Sequence, residues 1–340
     1  MSLGGGPELH VGEDPAEVRR EPARQGFLRR RWKALGALAL VAALGLFGAG
    51  IWSASNQLLF PSWRGATKDL AVCPAELAAH WGEGCGNLRA THALAFTEVK
   101  VRSLNGYDLP GWLVGAAANG TGPAQGAILL VHGGGSDRRE MTRHVRYFLD
   151  RRLDVLTLDL GCHGEAPCPV PGLSYGARES RDVLSAYLHL AERYDRVLAM
   201  GSSVGAASIL DALPAMPGLD AVIAENPMAS FERLITETPM ARSAPGWMNR
   251  LLVGLAKLRG RFDGLASPEN ALRLAKGTPI LFIHGKQDGI VPTQQTQDLA
   301  DLYAGPKTVW LPEKGDHGAI REGEGAEYER RLTAFLDGVR

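Results

Sequence analysis

Neither sign of charge predominates in this sequence. The 37 Lys and Arg residues balance 37 Asp and Glu, for a formal net charge of zero. A nucleic-acid-binding surface calls for a basic excess, so no nucleic-acid partner is expected. Long apolar runs are scarce too: a single stretch is long enough to span a bilayer, which excludes a polytopic membrane protein. No internal repeat is present, and the 42 glycines follow no collagen-like period. Cysteine is sparse, at four residues. What remains is 45% hydrophobic and 22% charged over 340 residues. These are globular values and exclude wholesale disorder.

The apolar stretch is sharply bounded. Residues 34–63 carry no charge, and 34–52 are the most apolar part. At 1.5 Å per residue that part covers roughly 28 Å, one hydrocarbon core. Arg24, Arg29, Arg30, Arg31 and Lys33 precede it without an acid, whereas only Arg64 and Lys68 follow closely. The positive flank stays in the cytoplasm. The expectation is a disordered cytoplasmic tail (1–33), a transmembrane anchor (34–54) and an extracytoplasmic bulk. Trp32 and Trp52 stand at the two ends, as interfacial anchors do. The rival is a cleaved signal peptide, with Ser53, Ala54 and Ser55 as a small-residue cleavage site.

All four cysteines fall on the expected outer side, where disulfides persist. Four cysteines allow three pairings, and sequence alone does not choose among them. Local pairing, Cys73 with Cys85 and Cys162 with Cys168, is the expectation. Cys162, His163 and Cys168 also invite a zinc reading, but a fourth ligand and tighter spacing are wanting. No metal or cofactor is expected.

Residues 55–95 read as a connecting region. Beyond them, 96–103 alternates as a strand, Asn105 and Gly106 supply a turn, and 109–116 resumes: a hairpin signal. Short continuous apolar runs follow at 127–132, 154–160, 196–200, 221–225, 279–284 and 307–311. Such runs suit strands buried on both faces of a parallel sheet. Helix-like stretches alternate with them at 138–151, 175–193, 204–213, 293–304 and 325–338. That alternation implies an α/β architecture of βαβ units with right-handed crossovers. The interval 226–277 is too long for a simple crossover. It includes an amphipathic stretch (246–262) and is expected to be a cap over the carboxyl ends of the strands, with a pair of ordinary surface helices as the plainer reading.

The chemistry centres on Gly201, Ser202, Ser203, Val204 and Gly205, a G-x-S-x-G. A lone match is weak, and a second exists around Ser174. Context separates them. A nucleophile elbow needs a strand before the serine and a helix after it, which Ser203 has. Ser174 follows Cys168, Pro169, Val170 and Pro171, which cannot form a central strand. Ser202 lacks the flanking glycines. The hydroxyl needs a base, and His317, in a loop between the last strand and the last helix, is the expected one. His10 lies in the tail, His144 and His189 in helices, and His132 and His284 end strands in structural roles. Asp288, after the strand at 279–284, is the expected acid, with Glu225 its rival and Asp316 pointing elsewhere. The order Ser203, Asp288, His317 is that of α/β-hydrolases. The oxyanion hole requires two backbone N–H donors. Val204 is one, and Gly134 is preferred over Gly133 for the other. No G-K-[ST] follows the glycine-rich turn, which excludes a P-loop.

The runs VHGGGSDRREM, DLGCHGEA, GSSVGAAS, PILFIHGKQDGIVP and GDHG together resemble the α/β-hydrolase superfamily. The resemblance is strongest to single-span-anchored serine hydrolases with serine-aminopeptidase-like or dienelactone-hydrolase-like domains. It covers roughly residues 96–340. It implies an eight-stranded, mostly parallel sheet with helices on both faces, and metal-free hydrolysis of carboxyl esters or amides. Cys162 and the segment around Cys168 depart from the pattern. The expected protein is a membrane-anchored serine hydrolase acting on a small-molecule acyl ester, thioester or lipid. The alternatives are a serine peptidase and a catalytically silent binding module.

Overall fold

The structure, a computed structural model, describes residues 15–60, 69–170, 172–262 and 266–339. It forms two compact units, residues 1–53 and 54–340. The first unit is helical from Pro15 onward, within helix Pro15–Leu59. The helix thus begins well before the apolar run, in the stretch expected to be a disordered tail. Ala, Glu and Arg there are good helix formers. The part of that tail at 1–14, with His10, lies outside the described residues. Phe27–Leu59 is long and apolar enough to cross a membrane.

The second unit is built on one eight-stranded sheet. Its strands are β1 (Thr97–Arg102), β2 (Asp108–Val114), β3 (Ala127–Val131), β4 (Asp154–Leu158), β5 (Val197–Ser202), β6 (Ala221–Glu225), β7 (Ile280–Ile283) and β8 (Lys307–Trp310). The spatial order is β1-β2-β4-β3-β5-β6-β7-β8. The pairs β1·β2 and β2·β4 are antiparallel and all others parallel. Gly106 (φ 88°) makes the hairpin turn that links β1 to β2.

The continuous apolar runs follow from burial on both sides. Within β3, Leu129 and Val131 enter one core while Ile128 and Leu130 enter the other. In β7, Ile280 and Phe282 split from Leu281 and Ile283 in the same way. Alternate side chains point to opposite faces of a strand, so a strand covered by helices on both faces has no polar side. Strand order reverses at β3, and the carboxyl ends around such a switch point form a crevice for ligands.

Two further segments wrap this frame. Both disulfides, Cys73–Cys85 and Cys162–Cys168, are formed with local pairing. Residues 69–95, expected as a connector, join the second unit. The Asn87 amide donates to Leu70 O at 2.7 Å, and Arg139 donates to the carbonyls of Leu70 and Val72, each at 2.8 Å. Between 226 and 277 lie helices Phe231–Thr236, Pro239–Arg242, Gly246–Gly260 and Pro268–Leu272. Leu234 packs with Val204 and Val291, beside the turn after β5.

Candidate active site

Ser203 occupies the turn between β5 and helix Val204–Ala212 with φ 51° and ψ −114°. A non-glycine residue held there stores on the order of 1–3 kcal/mol of strain. The turn is tight because its flanks have no side chains. A Cβ on Gly201 would lie 2.6 Å from Ala206 N, and one on Gly205 2.4 Å from Val131 O. Both contacts are with backbone, which cannot move aside. The second G-x-S-x-G match is different. Ser174 is 1% exposed, its hydroxyl bonds the Glu179 carboxylate and accepts from Arg178 N at 2.8 Å, and so it braces the start of helix Glu179–Ala191.

The structure brings Ser203, His317 and Asp288 together from three separate loops. His317 Nε2 lies 2.9 Å from Ser203 Oγ, and His317 Nδ1 lies 2.7 Å from Asp288 Oδ2. The carboxylate accepts from Nδ1–H, which leaves Nε2 to accept the serine proton. Asp288 Oδ1 accepts from the backbone N–H groups of Ile290 and Val291 at 2.8 and 2.9 Å. Burial alone would raise this carboxyl's pKa. The hydrogen bonds from His284 and His317 outweigh it and hold Asp288 well below the usual carboxylate range.

The rival acids lie elsewhere. Ser203 N donates to the backbone oxygen of Glu225 at 2.8 Å, but the Glu225 carboxylate points away from His317 and accepts from Tyr328 at 3.3 Å. Burial, only partly offset by nearby Arg143, pushes its pKa up to about 7. Asp316 lines the cavity at Ser203 without bonding His317. Of the strand-end histidines, His132 spans from Gly133 O (2.7 Å) to Leu160 N (3.1 Å), a structural bridge. His144 is fully buried, and burial drives its pKa well down.

The glycine-rich turn separates its two candidate donors. Gly133 N–H donates to Glu140 Oε2 at 2.9 Å and is therefore occupied. Gly134 faces the turn of Ser203, where a Cβ would come within 2.6 Å of a Val204 methyl. Val204 is the first residue of its helix, so its N–H has no intrahelical acceptor.

A cavity of about 240 Å³ opens over Ser203 and His317. Its walls include His80, Trp81, Glu140 and Asp316. His80 and Trp81 end helix Ala75–Trp81, inside the loop closed by Cys73 and Cys85. Nothing in the sequence marks these two residues as wall positions except the cysteines around them. Nor does any described residue of the interval 226–277 contribute to the lining. The loop with Cys162 and Cys168 also stands aside: Pro169 and Val170 line a separate cavity with Leu59 and Phe60. The bridge engages both sulfurs, so the zinc reading of that loop fails.

A mostly parallel eight-stranded sheet carrying a strained serine at the carboxyl end of a central strand is the architecture of an α/β hydrolase. The family model described as "Alpha/beta hydrolase family" matches residues 128–328, more than half of the chain, and the protein belongs to that family. Among curated relatives, it is 28% identical to the uncharacterized protein YqkD of Bacillus subtilis over 72% of this chain and 80% of that protein. It is 25% identical to the uncharacterized protein YfhR of Escherichia coli K12, over 70% and 79%. Among solved structures, an esterase of Pyrococcus furiosus superposes with a TM-score of 0.57 at 17% identity, covering 73% of this chain and 94% of the esterase. An acylaminoacyl peptidase of Pyrococcus horikoshii gives 0.53 at 18% identity, covering 74% and 42%. At such identities the structural likeness speaks to fold.

Proposed function

We propose that the protein is a membrane-anchored serine hydrolase that cleaves carboxyl esters or thioesters outside the cytoplasm. The observation that carries this reading is His317 bridging Ser203 and Asp288 through one ring, at 2.9 and 2.7 Å. Ser203 Oγ attacks the acyl carbonyl as His317 Nε2 takes its proton. Asp288 holds the ring's orientation and stabilises the imidazolium. Gly134 N–H and Val204 N–H bind the oxyanion. His317 then protonates the leaving group, and water, deprotonated by the same nitrogen, releases the acyl group from Ser203.

Residues 34–54, within helix Phe27–Leu59, are the anchor, oriented by the arginines before residue 34, with the catalytic unit on the outer side. Two formed disulfides support an oxidising compartment. The helices of 226–277 support the turn of Ser203 through Leu234, which packs on Val204. A peptidase reading is favoured by one feature: Asp316 stands in the cavity wall, where a substrate amine would be attracted.

The test has two parts. A fluorophosphonate probe should label the wild-type protein and not Ser203→Ala. Absence of labelling in the wild type identifies a silent module and overturns the proposal. Turnover is then compared across p-nitrophenyl esters of graded length, thioesters and aminoacyl amides. Faster turnover of the amides would replace the esterase reading with the peptidase one.

A further inference from the structure

Helix Gly246–Gly260 divides cleanly along its length. Its buried side is Val253, Ala256 and Gly260, which pack toward Phe231 and Phe262. On the opposite side stand Trp247, Leu251 and Leu258, which are 53%, 46% and 77% exposed. At 100° per residue these three fall within roughly 40° of one another around the helix. They form a narrow apolar stripe, with Gly254 in line. A soluble helix normally turns charged residues outward at these positions. Here the charges flank the stripe and have one sign: residues 246–261 contain Arg250, Lys257, Arg259 and Arg261 and no acid.

The same helix grips the stretch of chain that follows the apolar run. Arg259 bonds the Ser55 hydroxyl and donates to Asn56 Oδ1 at 2.6 Å. Leu58 packs into the cluster of Val253 and Ala256, and its carbonyl accepts from Tyr175 at 2.7 Å. Leu59 O accepts from Leu173 N at 3.0 Å. Helix Gly246–Gly260 is therefore fixed to residues that lie within about two helical turns of the end of the membrane segment.

We infer that helix Gly246–Gly260 lies in the headgroup boundary of an anionic membrane, with Trp247, Leu251 and Leu258 inserted among the acyl chains. This rests on the membrane-anchored reading above. An amphipathic helix with Trp and Leu on one side and flanking cations is suited to that boundary. Arg250 and Arg261 are exposed and meet the headgroups. Arg259 and Arg261 also line the cavity of about 220 Å³ beside Leu59 and Phe60, a basic recess with an apolar rim at the same edge. The anchor and the helix then hold the catalytic unit at two points. The substrates that best fit such a posture are acyl esters dissolved in the bilayer.

The test uses the full chain in vesicles of phosphatidylglycerol and phosphatidylcholine, with the acyl chains brominated near the headgroup. Bromine quenches tryptophans that touch lipid. Trp32 and Trp52, at the ends of the anchor, supply an internal reference among the seven tryptophans. With the helix inserted, Trp247→Phe lowers the number of quenched tryptophans by one. The pair Leu251→Asp and Leu258→Asp gives the same loss with Trp247 still present, as does omission of phosphatidylglycerol. Leu251 and Leu258 are exposed, so the double variant should melt like the wild type, and a melt of Trp247→Phe accompanies its quenching. Equal quenching in wild type and Trp247→Phe, with the reference intact, overturns the inference and leaves the anchor standing. No quenching in either overturns both. A Trp247 shielded from lipid and from aqueous iodide alike, only at high protein density, identifies a second copy as the occupant and likewise overturns it.

Discussion

His284 shares the carboxylate of Asp288: its Nε2 lies 3.1 Å from Oδ2, the oxygen that also accepts from His317. The ring is fully buried. Its Nε2 faces Val291 O at 2.9 Å and its Nδ1 faces Thr296 Oγ1 at 2.6 Å, so its position is set from three sides. Asp288 is thus held low by two histidines, one of them outside the Ser203–His317 line. A hydrogen bond to a charged group contributes about 1.5–3 kcal/mol. His284→Gln should therefore lower kcat/KM by roughly 10- to 100-fold and move its acid limb to higher pH. A lower melting temperature with an unshifted pH profile would limit His284 to packing.

The two G-x-S-x-G serines separate by experiment. Ser203→Ala should lose fluorophosphonate labelling and reduce kcat by on the order of 10⁶. Ser174→Ala should keep both and lose stability instead: Glu179 keeps the N–H groups of Ser174 and Gly176 but loses the hydroxyl, and the Arg178 N–H loses its acceptor. Loss of the hydrogen bond to the charged carboxylate costs about 1.5–3 kcal/mol. Labelling and thermal melts of the two variants check the division. Retained turnover in Ser203→Ala would sink the assignment.

Glu225 makes stability depend on pH in a direction opposite to most carboxylates. Burial lifts its pKa from an ordinary 4.5 to about 7. Between those values the folded protein binds a proton that the unfolded chain does not, so stability falls as pH rises through the window. The destabilisation is absent below 4.5 and complete above about 7, where it amounts to on the order of 3 kcal/mol. Glu225→Gln keeps the shape and removes the titration. Denaturant melts at pH 5 and pH 8 should show a larger fall in the wild type than in the variant. Parallel falls would refute the role of Glu225.

Much of this arrangement is legible in the sequence because single residue types are forced at its key positions. Two-sided burial makes β3 and β5–β7 continuous apolar runs. Backbone contacts at Gly201 and Gly205 permit no side chain, so the turn around Ser203 announces itself. Asp288 and His317 follow strands whose ends must meet at the same rim. What is not legible depends on contacts between distant segments of irregular chain. His80 and Trp81 reach the cavity from a segment that Arg139 ties down at Leu70 and Val72 and that Cys73–Cys85 closes into a loop. Glu140 takes the Gly133 N–H from seven residues away, and no periodicity signals it. Chain order favours Asp288 over Glu225 in the sequence, whereas the turn of the Glu225 carboxylate to Tyr328 is seen only in the structure.

The two disulfides should differ in what they govern. The loop bridged by Cys162 and Cys168 follows β4, on the carboxyl-end side of the sheet where the site lies. That loop lines the cavity of Leu59 and Phe60 instead. The bridge of Cys73 and Cys85 encloses the helix that ends in His80 and Trp81, two walls of the cavity over Ser203. By the chain-entropy estimate, a loop of this length contributes about 3 kcal/mol and the shorter one about 2, so the bridges are close in stability. Their effects on the reaction should not be. The double variant Cys73→Ser and Cys85→Ser should change kcat/KM for a short soluble ester several-fold, because the helix loses its tether. Cys162→Ser and Cys168→Ser should leave that value unchanged and lower only the melting temperature. Kinetics and melts of both pairs decide the matter. An unchanged kcat/KM in the first pair, with loss of its bridge proven by peptide mapping, would show that His80 and Trp81 are held by Arg139 and the surrounding packing rather than by the disulfide.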